Sequence, residues 1–451
     1  MPMNERICHL MGREPSEKRC SGVLPEDIIG RLMREGGSRS VPKKHAVALK
    51  TVLEETEITA DPEDLIFGTF SKQNCAEIVL PPAKLPADVC PDLVKWLTVG
   101  PAAMRQILKS RLYLGRNDSR EFYECVLLVL DGTITFMHRY AKLADRLSAE
   151  YPEHRDTLRM IGENCRNLAS RPAQTYWEAL QSLWFLFTVL HMENGITSFS
   201  VGRMDRYLLR YYRDDIHRGV ITAEQARELT ECMWLKLSKA DCSVTVGGIS
   251  ENGEPVFNEL SLLLCDVQAE PDLPGPKLYI RLNETADEER KKKAETCDKV
   301  TVLHDEEIIP RMMNEYGFSE ADARNYAVFG TGDLCGSGNS ILWSEAGTID
   351  LSTFTGSPDE MRQAISAAAD TLVIAHRESE TVFRDFLPAA LLSSVTDDCL
   401  EIGTDASAGS VRYRFAGIRI LNAEGNEQAG YAESVLREKF GAEGIRVVFH
   451  R

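Results

Sequence analysis

At 451 residues, with 43% hydrophobic and 27% charged residues, the chain has an ordinary globular composition; its length allows two or three average domains or one large α/β barrel. Its 52 basic against 69 acidic residues leave a formal charge of −17, which repels phosphate. That charge argues against a general nucleic-acid or anionic-membrane surface, but not against a small anion held by a few arginines.

In chain order, residues 1–118 read as a helical and loop part. The region 119–245 is dominantly helical. "EFYECVLLVLDGTITFMHRYAKLADRLSAEY" carries apolar residues at helical period, and "TYWEALQSLWFLFTVLHME" is apolar nearly all round, as a core helix is. Its most apolar run, residues 183–190, is too short to span a bilayer. Thr222 with Gln225 forms a capping box opening the next helix, and Ser319 caps "EADARNYAV". "EPDLPGPK" reads as a loop within a domain. Strand candidates follow at 243–249, 277–282, 327–331, 411–421 and 444–450, so 246–451 reads as barrel strands and loops. Helices interspersed with short strands that end near glycine point to an α/β barrel whose loops converge, folded as one domain over 1–451.

Twelve cysteines lie far apart with no CxxC pair, and the nine histidines show no HExxH spacing. They read as reduced thiols of a cytoplasmic protein without a dedicated zinc site. One loop stands out, "YAVFGTGDLCGSGNS" at 326–340, with four glycines, one carboxylate and one cysteine. A phosphate cradle needs a following helix and usually a lysine; no GK[ST] follows, and Asp333 repels phosphate. A thiol site needs a base or cation near Cys335, which no sequence neighbour supplies. The third reading is a tight turn with Cys335 as a small buried residue. The residues of the loop leave all three open.

The surrounding segments resemble the glycyl radical enzymes of the pyruvate formate-lyase and glycerol/choline-lyase type. The resemblance rests on "TYWEALQSLWFLF", "ENGITSFSVGRMDRYLLRYYRDDIHRG", "VGGISENGEPVFNELSLLLCD", "PKLYIRL", "HDEEIIPRMMNEYGFSEADARNYAVFG", "LPAALLSSVTDDCLEIGTDASAGSVRY" and "DPEDLIFGT". These run in order over nearly the whole chain. The resemblance implies a helix-rich, ten-stranded α/β barrel, usually homodimeric, in which a cysteine loop meets a glycine loop. A radical left on the glycine by a separate activating enzyme passes to the cysteine, which abstracts hydrogen from a small substrate.

The chain departs from that pattern at both loops. Thr331 stands where the thiyl cysteine belongs, and its O–H bond is too strong to relay hydrogen; Cys335 lies four residues beyond. "GIRVVFHR" supplies Arg446 and Val447 of the glycine motif but has Phe449 at the glycine, so the barrel reads as shortened at the C-terminus and without a glycyl radical of its own. Asp333 matches the family's glutamate and is the acid–base candidate, with Thr331 and Cys335 beside it. Arg281 is the anchor for a substrate carboxylate, and Tyr279, Tyr326 and Arg203 line or support the cavity. His304, Asp305 and Glu193 are candidate ligands for a redox metal ion.

These readings lead to a small polar organic substrate and lyase or oxidative chemistry without a glycyl radical. Two alternatives stand beside it: a small glycine-bearing subunit that completes the radical site with Cys335 as thiyl, and an inactive regulatory homologue. The partners expected are the substrate and a second copy of the chain, with neither nucleic acid nor membrane.

Overall fold

The computed structural model describes residues 5–12, 31, 40–68, 86–115, 119–196, 198–270, 272–286, 288–297, 299–386, 390–406 and 411–450. Parts of the quoted motifs (69, 197, 271, 387–389, 407–410 and 451) and Cys20 and Cys75 lie outside them. The fold is the expected helix-rich α/β barrel type. Its strands are β1 (Pro86–Cys90), β2 (Ser198–Arg203), β3 (Asp241–Gly247), β4 (Lys277–Leu282), β5 (Val300–His304), β6 (Tyr326–Val328), β7 (Leu334–Gly336), β8 (Ser340–Asp350), β9 (Tyr413–Leu421) and β10 (Arg446–His450). Eight of them form one sheet in the order β10-β9-β8-β1-β2-β3-β4-β5, and β6 and β7 form a separate hairpin. β1 to β5 run parallel, β8 meets β1 antiparallel, and β8 to β10 are parallel to one another. The wall therefore consists of two parallel blocks of opposite direction.

Helices cover the outer face. The helix Tyr176–Asn194 opens on Thr175, whose hydroxyl accepts the Glu178 N–H, and closes on Gly195 in the left-handed region at φ 66°. Trp184, Phe185, Phe187 and Leu190 in its middle are fully buried, each contributing on the order of 1.5–3 kcal/mol through apolar burial. The Thr222/Gln225 capping box forms in both directions, and Ser319 accepts the Asp322 N–H at 3.2 Å. Among the described residues no helix is long and apolar enough to cross a membrane.

Alternation along the strands decides what the wall presents inside. Val89, Phe199, Cys242, Val244, Val246, Leu278 and Ile280 belong to the main apolar core. The intervening positions are polar or small. Ser198 lies opposite Asp241, Ser200 opposite Ser243, and Thr245 opposite Tyr279. Val89 pairs with Phe199, which puts Asp88 beside Ser198 and Cys90 beside Ser200 on that same inner face. Small side chains leave room for a backbone, and the hairpin fills it. Ser200 and Ser243 both donate to the Val328 carbonyl, and the Val328 N–H donates to Thr245.

The helix Asp305–Tyr316 leaves β5, one edge of the sheet, and reaches β10, the other. Its Met312 and Tyr316 are buried with Phe415 and Val448. Arg446 of β10 donates to the Tyr316 carbonyl, and Arg437 pairs with Glu315 at 3.2 Å. The division at residue 246 does not separate helices from strands, because β1 and β2 precede it and lie in the middle of the sheet. Expected and observed strands agree closely at β3, β4, β6, β9 and β10. The strands β1, β2, β5, β7 and β8 come from the structure.

Candidate active site

The hairpin runs the length of the barrel interior, and its two ends meet different chemistry. At its entry, Tyr326 lies level with the C-terminal ends of β3 and β4. Arg281, fully buried, donates to Asp305 through Nε (2.8 Å) and Nη2 (3.1 Å), to the Tyr326 carbonyl (2.9 Å) and to the Arg324 carbonyl (3.0 Å). Its guanidinium stacks 3.7 Å from the Tyr326 ring centroid. Arg203 donates to the carbonyls of Gly247, Ile249 and Arg324, while Asp205 accepts the Gly247 N–H and the Ser261 hydroxyl. Burial lowers the Arg203 pKa and raises those of Asp205 and Tyr326. These groups hold the glycine turn after β3 and the root of the hairpin.

The structure therefore reassigns several expectations. Arg281 does not reach toward a substrate; its fork is engaged by Asp305 and by main-chain carbonyls. Tyr326 supports that guanidinium, and Arg203 grips backbone. The three metal candidates do not converge. Asp305 faces Arg281, His304 is exposed at the end of β5, and Glu193 accepts the N–H groups of Leu391 (2.7 Å) and Leu392 (3.0 Å) at the start of another helix. Among the described residues no group of three His, Cys, Asp or Glu side chains is placed to hold a metal ion.

The other end of the hairpin is open. Its tip, Phe329 to Asp333, is closed by Phe329 N–H to Asp333 O (2.8 Å) and Gly332 N–H to Phe329 O (2.9 Å). Gly330 is required by proximity: a Cβ there would collide with the Asp241 carbonyl and the Ser198 hydroxyl. Thr331 and Gly332 are exposed and Asp333 is half-buried. The Thr331 hydroxyl donates to Asp333 at 3.1 Å. Lys277 pairs with Asp241 at 2.6 Å and donates to the Gly330 carbonyl. The Tyr279 hydroxyl is 3.5 Å from where a Gly332 side chain would begin, so Tyr279 does belong to the tip.

Asp88 joins the tip to the wall, and nothing in the sequence pointed to it. It is 0% exposed. Its Oδ2 accepts the Thr331 N–H at 2.9 Å and the Ser198 hydroxyl at 2.5 Å, while Oδ1 is buried without a hydrogen-bond partner. Burial pushes its pKa up to about 7. A carboxyl that changes charge near neutral pH, directly behind an exposed polar turn, is equipped to donate or accept a proton there. Cys335 is not part of the exposed turn: two residues past Asp333, it is fully buried on β7 in the same apolar cluster as Cys90. The Ser200 and Ser243 bonds to Val328 account for the backbone's tight path, with Gly330 as the steric spacer and Gly332 turning the chain at φ 103°; no phosphate-binding helix N-terminus follows, since β7 does.

A family model described as "Pyruvate formate lyase-like" matches residues 79–352. The chain is 25% identical over 351 residues to a (2S)-3-sulfopropanediol dehydratase from Klebsiella oxytoca, covering 66% of this chain and 42% of that protein. It is 32% identical over 240 residues to an isethionate sulfite-lyase from Desulfovibrio desulfuricans, covering 47% and 29%. Among solved structures, a glycyl radical enzyme from Archaeoglobus fulgidus superposes with a TM-score of 0.77 at 22% identity, covering 93% of this chain and 72% of that one. The matches span less than half the length of these two curated relatives.

Proposed function

The chain belongs to the pyruvate formate lyase-like family, and from that premise we propose that it is a lyase of dehydratase type acting on a small hydroxylated substrate at the hairpin tip. The observation that carries this reading is Asp88: a fully buried carboxyl with pKa near 7, bonded to the N–H of Thr331 at an exposed turn. An elimination needs one group to take a proton from the substrate and another to protonate the departing oxygen. Asp88, protonated over the lower half of the neutral range, is the donor. Asp333, oriented by the Thr331 hydroxyl, is the acceptor. Lys277 and the Tyr279 hydroxyl stand at the same opening and hold the substrate's polar groups. Thr331 cannot relay a hydrogen atom and Cys335, two residues past Asp333, is fully buried, so this reading routes no thiyl step through either residue. A second copy of the chain as partner remains part of the proposal, by analogy with the family.

The test is turnover of small diols, hydroxy acids and hydroxysulfonates by the full chain, without oxygen, followed by product analysis for carbonyl compounds or sulfite. We expect Asp88→Asn and Asp333→Asn each to lower kcat/KM by about 10²–10⁴. Asp88→Asn should also remove the limb of the kcat/KM profile that falls as pH rises through about 7. Full activity in both variants would overturn the assignment.

A further inference from the structure

The buried interior carries one reactive pair that the proposed elimination does not use. Cys90, at the end of β1, and Cys335, on β7, lie in the same apolar cluster around the hairpin, 1% and 0% exposed. The two side chains lie within interacting reach of each other beside Ser200, whose hydroxyl donates to the Val328 carbonyl, one residue along from the Ala327 that pairs with Cys335. Their backbones are pinned on either side. The Gly338 N–H donates to the Cys90 carbonyl at 3.0 Å, the Gly336 N–H donates to the Ser340 hydroxyl at 2.8 Å, and Cys90 itself pairs with Ser340 across β1 and β8. Alternation places Asp88, two residues before Cys90, on the same face.

We propose that Cys90 and Cys335 form a redox-active dithiol that peroxide converts to a disulfide, fastening the catalytic hairpin to the barrel wall. Cys90 is the attacking sulfur. It shares its strand face with Asp88, a carboxyl that can take its proton, and its interaction with Cys335 favours the thiolate. In the first step, above about pH 7 where Asp88 is ionised, the Cys90 thiol loses its proton to that carboxylate and its sulfur attacks one peroxide oxygen. The O–O bond breaks, and the departing hydroxide recovers the proton as water, leaving Cys90 as a sulfenic acid. In the second step the Cys335 sulfur attacks the Cys90 sulfur. The S–O bond breaks, and hydroxide leaves with the Cys335 proton as a second water. Two thiols are oxidised by two electrons, and one hydrogen peroxide is reduced to two waters. Both sulfurs are shielded, so the reaction waits on opening of the hairpin, whose strands are three residues each.

The experiment uses the full chain, prepared without oxygen, treated with hydrogen peroxide, alkylated and digested with trypsin. The two cysteines fall in separate peptides, 85–95 and 325–362, each with a single cysteine. The expected product is these two peptides cross-linked, 2 Da below their summed reduced mass and separated again by dithiothreitol. In Cys335→Ser the cross-link disappears and Cys90 is trapped by dimedone as the sulfenic acid. The urea-unfolded chain, as a control, scatters its disulfides over many pairs. The proposal is overturned if the folded chain links Cys90 or Cys335 to other cysteines. It is equally overturned if both convert separately to sulfinic acids, or if they stay reduced while other cysteines oxidise.

Discussion

The two ends of one hairpin are built on opposite principles. At the root, Arg203, Arg281, Asp205 and Asp305 are buried, and their charged groups are spent on one another, on Tyr326 and on main-chain carbonyls and N–H groups. At the tip, Asp88 is as deeply buried and, like Asp205 at the root, has one oxygen without a partner; but Asp205 has the Arg203 guanidinium to offset its charge, whereas the charge acting on Asp88 is that of Asp241, and the turn it holds is exposed. The root is the more charged region and the more conspicuous in the sequence, yet its charges neutralise each other. Chemistry belongs where a charge is left unbalanced next to an opening, which is the tip.

That contrast is broken most directly at the root. Arg281→Ala leaves Asp305 buried without its counter-ion, and we expect a loss of about 3–5 kcal/mol in denaturant unfolding. Replacing both partners by apolar residues should cost less than the single substitution. If Arg281→Ala instead leaves stability intact and selectively weakens substrate binding, the root is a binding site and the comparison fails.

At the tip the corresponding change has the opposite sign. The folded pKa of Asp88 lies near 7, above its ordinary 3.8, so the native state holds its proton where the unfolded chain has released it. Its contribution is therefore least unfavourable at low pH, and it costs stability as pH rises from about 4 to about 7. Asp88→Asn removes that cost. Relative to the parent, the variant should be unchanged near pH 4 and more stable at pH 8, by up to about 4 kcal/mol since each pKa unit is about 1.4 kcal/mol. Unfolding curves across that range check it, and a gain in stability combined with a loss of turnover would mark a functional group. Gly330→Ala follows, at about 1–3 kcal/mol, because its Cβ must displace the Asp241 carbonyl or the tip itself.

Much of the architecture could be read from the chain alone, for identifiable reasons. Helix caps such as Thr222 and Ser319 are local, and β3, β4, β9 and β10 carry alternating or β-branched residues. β2 escaped because its inner positions are Ser198, Ser200 and Gly202, small residues suited to admitting the hairpin but poor strand signals. β5 is a five-residue edge strand with no fully buried residue, and it runs directly into the helix after it, so its alternation is weak. The site was less legible. Arg281 was read as a substrate anchor and Asp305 as a metal ligand, when each is the other's partner; only the fold, which aligns the end of β4 with the start of the next helix, reveals this. Asp88 lies 243 residues from Thr331 along the chain, in a segment with no motif of its own. Nothing short of the register of β1 against β2 brings it to the tip.

The finest probe of the tip is Thr331, whose backbone and side chain have separate tasks. Its N–H is fixed by Asp88, and its hydroxyl donates to Asp333. Thr331→Val keeps the backbone bond and the shape but deletes the hydroxyl. Because the side chain is exposed, stability should move by no more than about 0.5 kcal/mol. A side chain that orients the proton acceptor should instead lower kcat with little change in KM, and Thr331→Ser should restore it. If Val and Ser behave alike, Asp333 does not depend on that hydroxyl, and the working part of the tip contracts to Asp88 and the groups that contact it.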